Sequence, residues 1–142
     1  MKEIRHAKKG DLTRIHSLAE QLGYSSEISD FSHRFDVVLS DPSQHVLVIA
    51  NETVLAWIHF QRVSSLVERE CVEIKALVVD ESQRGQGLGG ELILEVEKWA
   101  RDHQIKDIRF GSNAVRERAH KLYLSLGYSI YKTSHRFIKT LL

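Results

Sequence analysis

Apolar residues at helical spacing recur along the chain and predict four helices. The first helix begins after Asp11, which can cap it, and ends near Gly23. The second is stopped by Asp41-Pro42, and the third runs roughly from Leu88 to His103. Their apolar stripes are Leu12, Ile15, Leu18, Ala19 and Leu22; then Phe31, Phe35, Val38 and Leu39; then Leu88, Leu92, Val96 and Trp99; and, in a shorter fourth helix, Ala119, Leu122, Tyr123 and Leu126.

Short apolar runs between these helices predict strands. They are His45–Ala50, Val54–Gln61, Cys71–Val79 and Ile108–Phe110, with two closing strands at Ser129–Lys132 and Ser134–Thr140. Antiparallel hairpins followed by a strand–helix–strand unit are typical of an α/β (α+β) fold, in which helices cover both faces of a mixed sheet.

Composition limits the classes of protein that fit. The chain has 142 residues, of which 42% are hydrophobic and 27% charged, and this suits a single globular domain over residues 1–142. A formal net charge of +1 argues against a nucleic-acid partner.

The single cysteine, Cys71, is expected to be a small buried residue. No signal peptide or long apolar run is evident, so we expect a cytoplasmic protein without a membrane partner. The histidines show no metal-ligand spacing, and we expect no metal.

A glycine-rich loop between a predicted strand and a predicted helix is the strongest chemical feature. It reads Arg84-Gly85-Gln86-Gly87-Leu88-Gly89-Gly90. Glycines allow the backbone to approach a ligand closely, and the free N–H groups of a helix's first turn favour a phosphate. The loop also satisfies the dinucleotide-binding pattern, but the next strand ends in Gly111-Ser112-Asn113 and offers no carboxylate for a ribose. An NAD-linked binding domain is therefore the weakest alternative.

The loop resembles the acyl-CoA cradle of the GNAT superfamily of N-acetyltransferases, Gln/Arg-x-x-Gly-x-Gly/Ala, through Arg84, Gly87 and Gly89. A second block ends in Tyr123-x-x-x-Gly127-Tyr128 and resembles the superfamily's other cofactor-side motif. The opening residues 4–12 also look like the usual start of these chains. The resemblance implies a sheet of about seven strands flanked by about four helices, and acetyl-CoA as co-substrate.

The resemblance also implies roles for the motif residues. Pyrophosphate would bind the backbone of Arg84, Gly85, Gln86, Gly87, Leu88, Gly89 and Gly90. Pantetheine would bind the backbone of Leu77, Val78 and Val79 together with Asn113. Arg116 stands where the superfamily more often has asparagine, so either Asn113 or Arg116 supplies that contact. Tyr123 matches the general acid that protonates the departing thiolate. Its apolar helical stripe alone would favour a core tyrosine, but its position four residues before Gly127 reverses that preference.

Glu73 is the candidate general base. Strict alternation would place four residues on one face of their strand: Glu73, Lys75, Leu77 and Val79. Some superfamily members carry a glutamate at the position of Glu73, where it acts as the general base. A simple Glu73–Lys75 pair is an equally good explanation of the charge. His59, on the preceding strand, is the second candidate base.

The acceptor is expected to be a primary amine of a small molecule or peptide, attacked directly in a ternary complex. Its pocket would be built by residues 24–34, Trp57, His59 and residues 64–70. A catalytically silent acyl-CoA sensor or regulatory module is the alternative function. The resemblance also implies a possible homodimer, in which the exposed edge of a closing strand would form the interface between the two copies.

Overall fold

The computed structural model describes residues 1–111 and 117–142, and the side chains of residues 117–119 lie outside the description. Contacts divide the chain into two compact units, Met1–Gly111 and Ser112–Leu142, and each is described by itself. The prediction of a single domain remains a prediction. None of the helices in the described ranges is long and apolar enough to cross a membrane.

The first unit is a five-stranded sheet with three helices. Its elements in chain order are β1 (Glu3–His6), α1 (Leu12–Gln21), α2 (Ile28–Ser40), β2 (Gln44–Ala50), β3 (Val54–Val63), β4 (Cys71–Val79), α3 (Leu88–Asp102) and β5 (Asp107–Phe110). The strands lie in the order β1-β2-β3-β4-β5. The first three pairings are antiparallel and β4–β5 is parallel, because α3 crosses over between those two strands. The predicted mixed sheet is confirmed.

Helices cover both faces of this sheet. On one face, Ile15 and Leu18 of α1 and Phe35 of α2 are buried in a cluster with Val48 and Trp57. On the other face, α3 buries Leu88, Leu92, Ile93 and Val96 completely. The ring of Trp99 on α3 lies 5.3 Å from that of Phe60 on β3, in an edge-to-face contact. Burial of these apolar stripes is the reason that the periodicity of the sequence locates the helices correctly.

The second unit contains one described helix, α4 (Glu117–Ser125). Gly127 follows it with φ of 91°. The N–H of Tyr128 donates to the carbonyl of Tyr123 at 3.1 Å, and the N–H of Gly127 donates to the carbonyl of Leu124 at 3.1 Å. These two bonds and the left-handed glycine form a Schellman motif, which ends the helix by satisfying its last carbonyl groups.

The predicted closing strands, Ser129–Lys132 and Ser134–Thr140, are not formed, so the described residues contain five strands rather than about seven. Residues 128–142 carry no helix or strand, and Phe137 and Ile138 are exposed. The prediction relied on the strand preference of such side chains, which expresses packing in a sheet more than an intrinsic backbone preference. The strand edge suggested for a homodimer is therefore absent from the described residues, and dimerisation remains a prediction.

Candidate active site

A β-bulge in β4 determines which side chains share a face at the centre of the sheet. His59 pairs with Ala76, but the next residue on β3, Phe60, pairs with Ile74, so Lys75 is the extra residue. Ile74 thus lies opposite Phe60 on the α3 face. Ala76, two residues further on, packs with the α1 and α2 cluster on the other face. The bulge inverts the alternation of the strand.

This inversion corrects the faces expected from strict alternation. Ala76 and Val78 pack with the α1 and α2 cluster, so Leu77 and Val79, which alternate with them, face α3. Glu73 alternates with Ile74 and therefore lies on the α1 and α2 face, opposite to Leu77. Nothing in the sequence marks the extra residue, because Lys75 is neither glycine nor proline.

The bulge is also where the pairing of β4 with β5 ends in the described residues. The parallel ladder runs from Cys71 opposite Asp107 to Ile74 opposite Phe110, and β5 stops there. Within the described residues, the segment Leu77, Val78 and Val79 pairs only with β3. Its other edge can therefore hydrogen-bond an extended ligand, which is the arrangement expected for pantetheine.

The glycine-rich loop follows the open part of β4 and leads into α3. Gly85 and Gly87 both have φ of 82°, a left-handed conformation that side chains disfavour. Gly87 is the N-cap of α3, and no side chain caps the helix. The loop from Arg84 to Gly87 is exposed, whereas Leu88 and Gly89 are buried. The first-turn N–H groups of α3, with the positive end of its dipole, therefore remain available for an anion.

Asp80 holds the start of this loop against α1. Its carboxylate accepts a hydrogen bond from Arg14 at 2.5 Å, from Gln21 at 3.3 Å and from the N–H of Ser82 at 3.2 Å. Burial acts to raise the pKa of Asp80, but the hydrogen bonds from Ser82, Arg14 and Gln21 outweigh it, and the pKa lies below its usual value. Asp80 therefore stays ionised and anchors the loop to the helix.

Glu73 forms the ion pair with Lys75 that the sequence left as an alternative. Lys75 Nζ lies 3.1 Å from Glu73 Oε1, and the two side chains are 37% and 36% exposed, so solvent reaches both. The Glu73 carboxylate accepts no hydrogen bond from another described residue. The pair thus positions Glu73 without using all of its acceptor capacity, and the role of general base remains a proposal.

His59 lies on the same face as Glu73, since Gln61 pairs with Glu73 and is two residues from His59 on β3. Burial, together with the nearby charge of Lys75, lowers the pKa of His59 to about 4. Its Nε2 atom lies 2.7 Å from Oε1 of Gln44, and Nε2 of Gln44 donates to Oδ2 of Asp41 at 2.9 Å. The imidazole is therefore neutral at neutral pH and is fixed by a hydrogen-bonded chain that ends in a carboxylate.

Two regions expected around the acceptor are partly committed to structural contacts. Glu70 pairs with Arg62 at 2.9 Å, and Glu68 pairs with Arg109. Trp57 is buried, and its Nε1 has no hydrogen-bond partner within the described ranges.

Cys71 is buried as expected, and burial raises the pKa of its thiol. A thiol of this kind is a core residue rather than a nucleophile.

The remaining predicted site residues lie in the second unit. Asn113 and Arg116 fall outside the described residues, so the choice between them for the pantetheine contact remains open. Tyr123 is half-buried on α4, two residues before the end of the helix at Ser125. Its proposed role as general acid is a prediction that the geometry of the first unit does not address.

Sequence reasoning missed the residues that support the site from a distance. Arg14 and Asp80 are 66 positions apart, and Gln44 and His59 are 15 apart. Asp80 follows an apolar strand directly, which is a signal that could have indicated a carboxylate at the start of the loop. The chain of Asp41, Gln44 and His59 carries no such signal, because its spacing follows from the β2–β3 register.

Comparison with known proteins agrees with this geometry. The model of the Acetyltransferase (GNAT) family matches residues 10–128. An aminoalkylphosphonate N-acetyltransferase from Salmonella typhimurium is 33% identical over 143 residues, which cover 98% of this chain and 91% of that protein.

Solved structures share the fold at lower identity. The structure of AAC(6')-Iy in complex with the bisubstrate analog CoA-S-monomethyl-acetylneamine superposes with a TM-score of 0.86 at 15% identity, over 99% of each chain. A tetramutant of the BH1408 protein from Bacillus halodurans superposes with a TM-score of 0.85 at 24% identity, over 96% of this chain and 99% of that one.

The mixed sheet, the open edge of β4 and the glycine-rich loop define an acyl-transferring class of α/β protein. The chain belongs to the Acetyltransferase (GNAT) family, whose members use acetyl-CoA. The predicted family and the prediction of an N-acetyltransferase enzyme are confirmed, since the homologues are named as N-acetyltransferases.

Proposed function

We propose that this protein transfers the acetyl group of acetyl-CoA to the primary amine of a small molecule by direct attack in a ternary complex. The observation that carries the proposal is the coincidence of three features: the bulge at Lys75, the end of β4–β5 pairing at Ile74, and the glycine-rich loop at the end of the same strand. A ligand that follows the open edge of β4 reaches the polar face of the bulge at one end and the loop at the other.

Each part of the site has a role in this proposal. The backbone from Arg84 to Gly90 binds the pyrophosphate at the N-terminus of α3. The backbone of Leu77, Val78 and Val79 binds the pantetheine arm and polarises the thioester carbonyl. Acetyl-CoA supplies the activated acetyl group.

Proton transfers are assigned to side chains. The amine must lose a proton before it attacks, and Glu73 accepts this proton through a water molecule. The new C–N bond forms as the C–S bond breaks, and the CoA thiolate takes a proton from the hydroxyl of Tyr123. The unperturbed pKa of a tyrosine, about 10, leaves that proton available at neutral pH.

One relative, which shares a third of its residues over nearly the whole chain, supports a proposal for the acceptor class. That relative is named for aminoalkylphosphonates, which are small amines that carry an anionic group. Lys75 supports a similar acceptor here, because its exposed ammonium lies on the face that the acceptor would occupy. We therefore place aminoalkylphosphonates ahead of aminoglycosides, polyamines and peptide amines.

The test is CoA thiol release from acetyl-CoA with each of these amines, scored against hydrolysis without an acceptor. Release with an aminoalkylphosphonate is the expected result. Gly87→Glu should abolish it by placing a carboxylate where the pyrophosphate binds, and Glu73→Gln should alter the pH–rate profile. If no amine causes thiol release but acetyl-CoA binds tightly, the result would favour the acyl-CoA sensor instead.

A further inference from the structure

A hydrogen-bonded chain of three side chains crosses the start of the β2–β3 hairpin. Asp41 Oδ2 accepts a hydrogen bond from Nε2 of Gln44 at 2.9 Å, and Gln44 Oε1 lies 2.7 Å from Nε2 of His59. The other oxygen of Asp41, Oδ1, accepts from the N–H of Ser43 at 2.9 Å and from its hydroxyl at 2.8 Å. We call Asp41, Gln44 and His59 the relay.

The direction of every bond in the relay follows from Asp41. Hydrogen bonds from Gln44 and Ser43 keep the pKa of Asp41 below its usual value, so the carboxylate is ionised and can only accept. The amide nitrogen of Gln44 must therefore face Asp41, and its oxygen must face His59. An amide oxygen also only accepts, so Nε2 of His59 must carry a proton. A neutral imidazole with its proton on Nε2 has a lone pair on Nδ1.

The surroundings of Nδ1 are those of the proposed acceptor site. Nδ1 has no hydrogen-bond partner among the described residues, and the side chain of His59 is only partly buried. His59 shares its face with Gln61 and Glu73, and the charge of Lys75 acts directly on it. A lone pair here can accept a hydrogen bond from an amine N–H close to the carboxylate of Glu73.

We propose that His59 binds the acceptor amine through Nδ1, and that Asp41 and Gln44 are positioning residues that hold the imidazole as the Nε2–H tautomer. The acceptor part of this inference rests on the proposed function. The tautomer itself does not, because it is a property of the free protein.

The first experiment measures the tautomer by two-bond ¹H–¹⁵N correlation NMR of the full chain with ¹⁵N-labelled histidine, at neutral pH. His59→Gln identifies the resonances of His59 by their disappearance. The expected result is a protonated Nε2 and an unprotonated Nδ1. A protonated Nδ1, or a doubly protonated ring, would overturn the positioning part of the proposal.

Asp41→Asn is the sharpest perturbation, because it replaces one oxygen by an amide nitrogen of almost the same size. The introduced amide can still accept from Ser43 with its oxygen, but its nitrogen cannot accept from Gln44. The amide of Gln44 should turn over and present its nitrogen to His59, which then has to accept on Nε2 and carry its proton on Nδ1. The predicted signature is a change of tautomer, and an unchanged tautomer would contradict the relay.

Kinetics test the second half of the inference. With an amine that the wild-type protein acetylates, Asp41→Asn should lower kcat/KM for the amine about tenfold or more, as expected for loss of a hydrogen bond to the acceptor. The affinity for acetyl-CoA should not change. Asp102→Asn, the same substitution at an exposed position on α3, is the matched control and should leave both quantities unchanged.

The outcomes separate the two proposals. A changed tautomer with an unchanged kcat/KM would refute the acceptor role of His59 while leaving the relay in place. If no amine is acetylated, the proposed function and the acceptor role both fail, but the NMR result still decides whether Asp41 and Gln44 set the tautomer.

Discussion

The conformation of Gly87 gives a prediction whose size can be worked out from the structure. A Cβ atom built at Gly87 meets no atom within 4 Å, so alanine would cause no collision there. The cost of Gly87→Ala is therefore that of forcing an L-residue into the left-handed region, with φ of 82°. That cost is roughly 1–2 kcal/mol. For a chain of this length it corresponds to a fall in Tm of about 3–8 °C.

Gly10 offers a matched control, because a Cβ there also meets nothing within 4 Å and its φ lies outside the left-handed region. Gly10→Ala should change stability little, or stabilise the protein by about 0.4–1 kcal/mol through the unfolded chain. The two variants add the same methyl group to exposed glycines, so the difference between them isolates the backbone conformation. Urea denaturation and thermal melting measure it.

The same pair of variants tests the anion-binding loop. In Gly87→Ala the left-handed conformation is strained, so the loop relaxes and the N–H groups at the start of α3 turn away from the ligand. Acetyl-CoA affinity, measured by isothermal titration calorimetry, should fall about tenfold or more in Gly87→Ala and stay unchanged in Gly10→Ala. Equal stability and equal affinity in the two variants would refute both the strain argument and the assignment of the loop.

Two further predictions concern stability and pH. Asp80→Asn should lower the free energy of unfolding by about 2 kcal/mol, measured in urea at neutral pH, because it removes the charged partner of Arg14. Since the pKa of Asp80 is lowered in the folded state, its contribution is present above about pH 4 and is lost as the pH falls further, so the variant should be less sensitive to acid. His59, with a folded pKa of about 4 against an ordinary 6.5, should make stability fall by about 2 kcal/mol as the pH drops from 6.5 to 4, allowing for its partial exposure. His59→Gln should flatten that slope and the exposed His33→Gln should not; equal slopes would show that another group is responsible.

The sequence predicts those parts of the fold that depend on local pattern. The bounds of β4 are the predicted ones, Cys71–Val79, because a mainly apolar run, interrupted by Glu73 and Lys75, ends at an acidic turn. The start of α3 at Leu88 is also as predicted, because Gly87 takes a left-handed conformation directly before it, although Gly89 and Gly90 lie in the first turn of the helix. Periodicity and turn chemistry were sufficient for both.

What could not be predicted depends on pairing between distant strands. The bulge at Lys75 exists because β3 and β4 change register there, and this change exchanged the faces expected for Leu77 and Val79. The chain of hydrogen bonds from Asp41 to His59 likewise depends on the β2–β3 register. The predicted closing strands are not formed for a related reason. Residues that prefer strands make a sheet only when they pack beside a partner strand.

The Schellman end of α4 explains why the family is so easily recognised from its second motif. The glycine of that motif is required by a left-handed turn, and the two flanking tyrosines contribute backbone groups to the chain reversal. A descendant that had lost transfer chemistry would still need the reversal in order to fold, and would keep the glycine. The motif therefore reflects the requirements of folding more than those of activity, and the acid role proposed for Tyr123 is the part of it that concerns transfer chemistry.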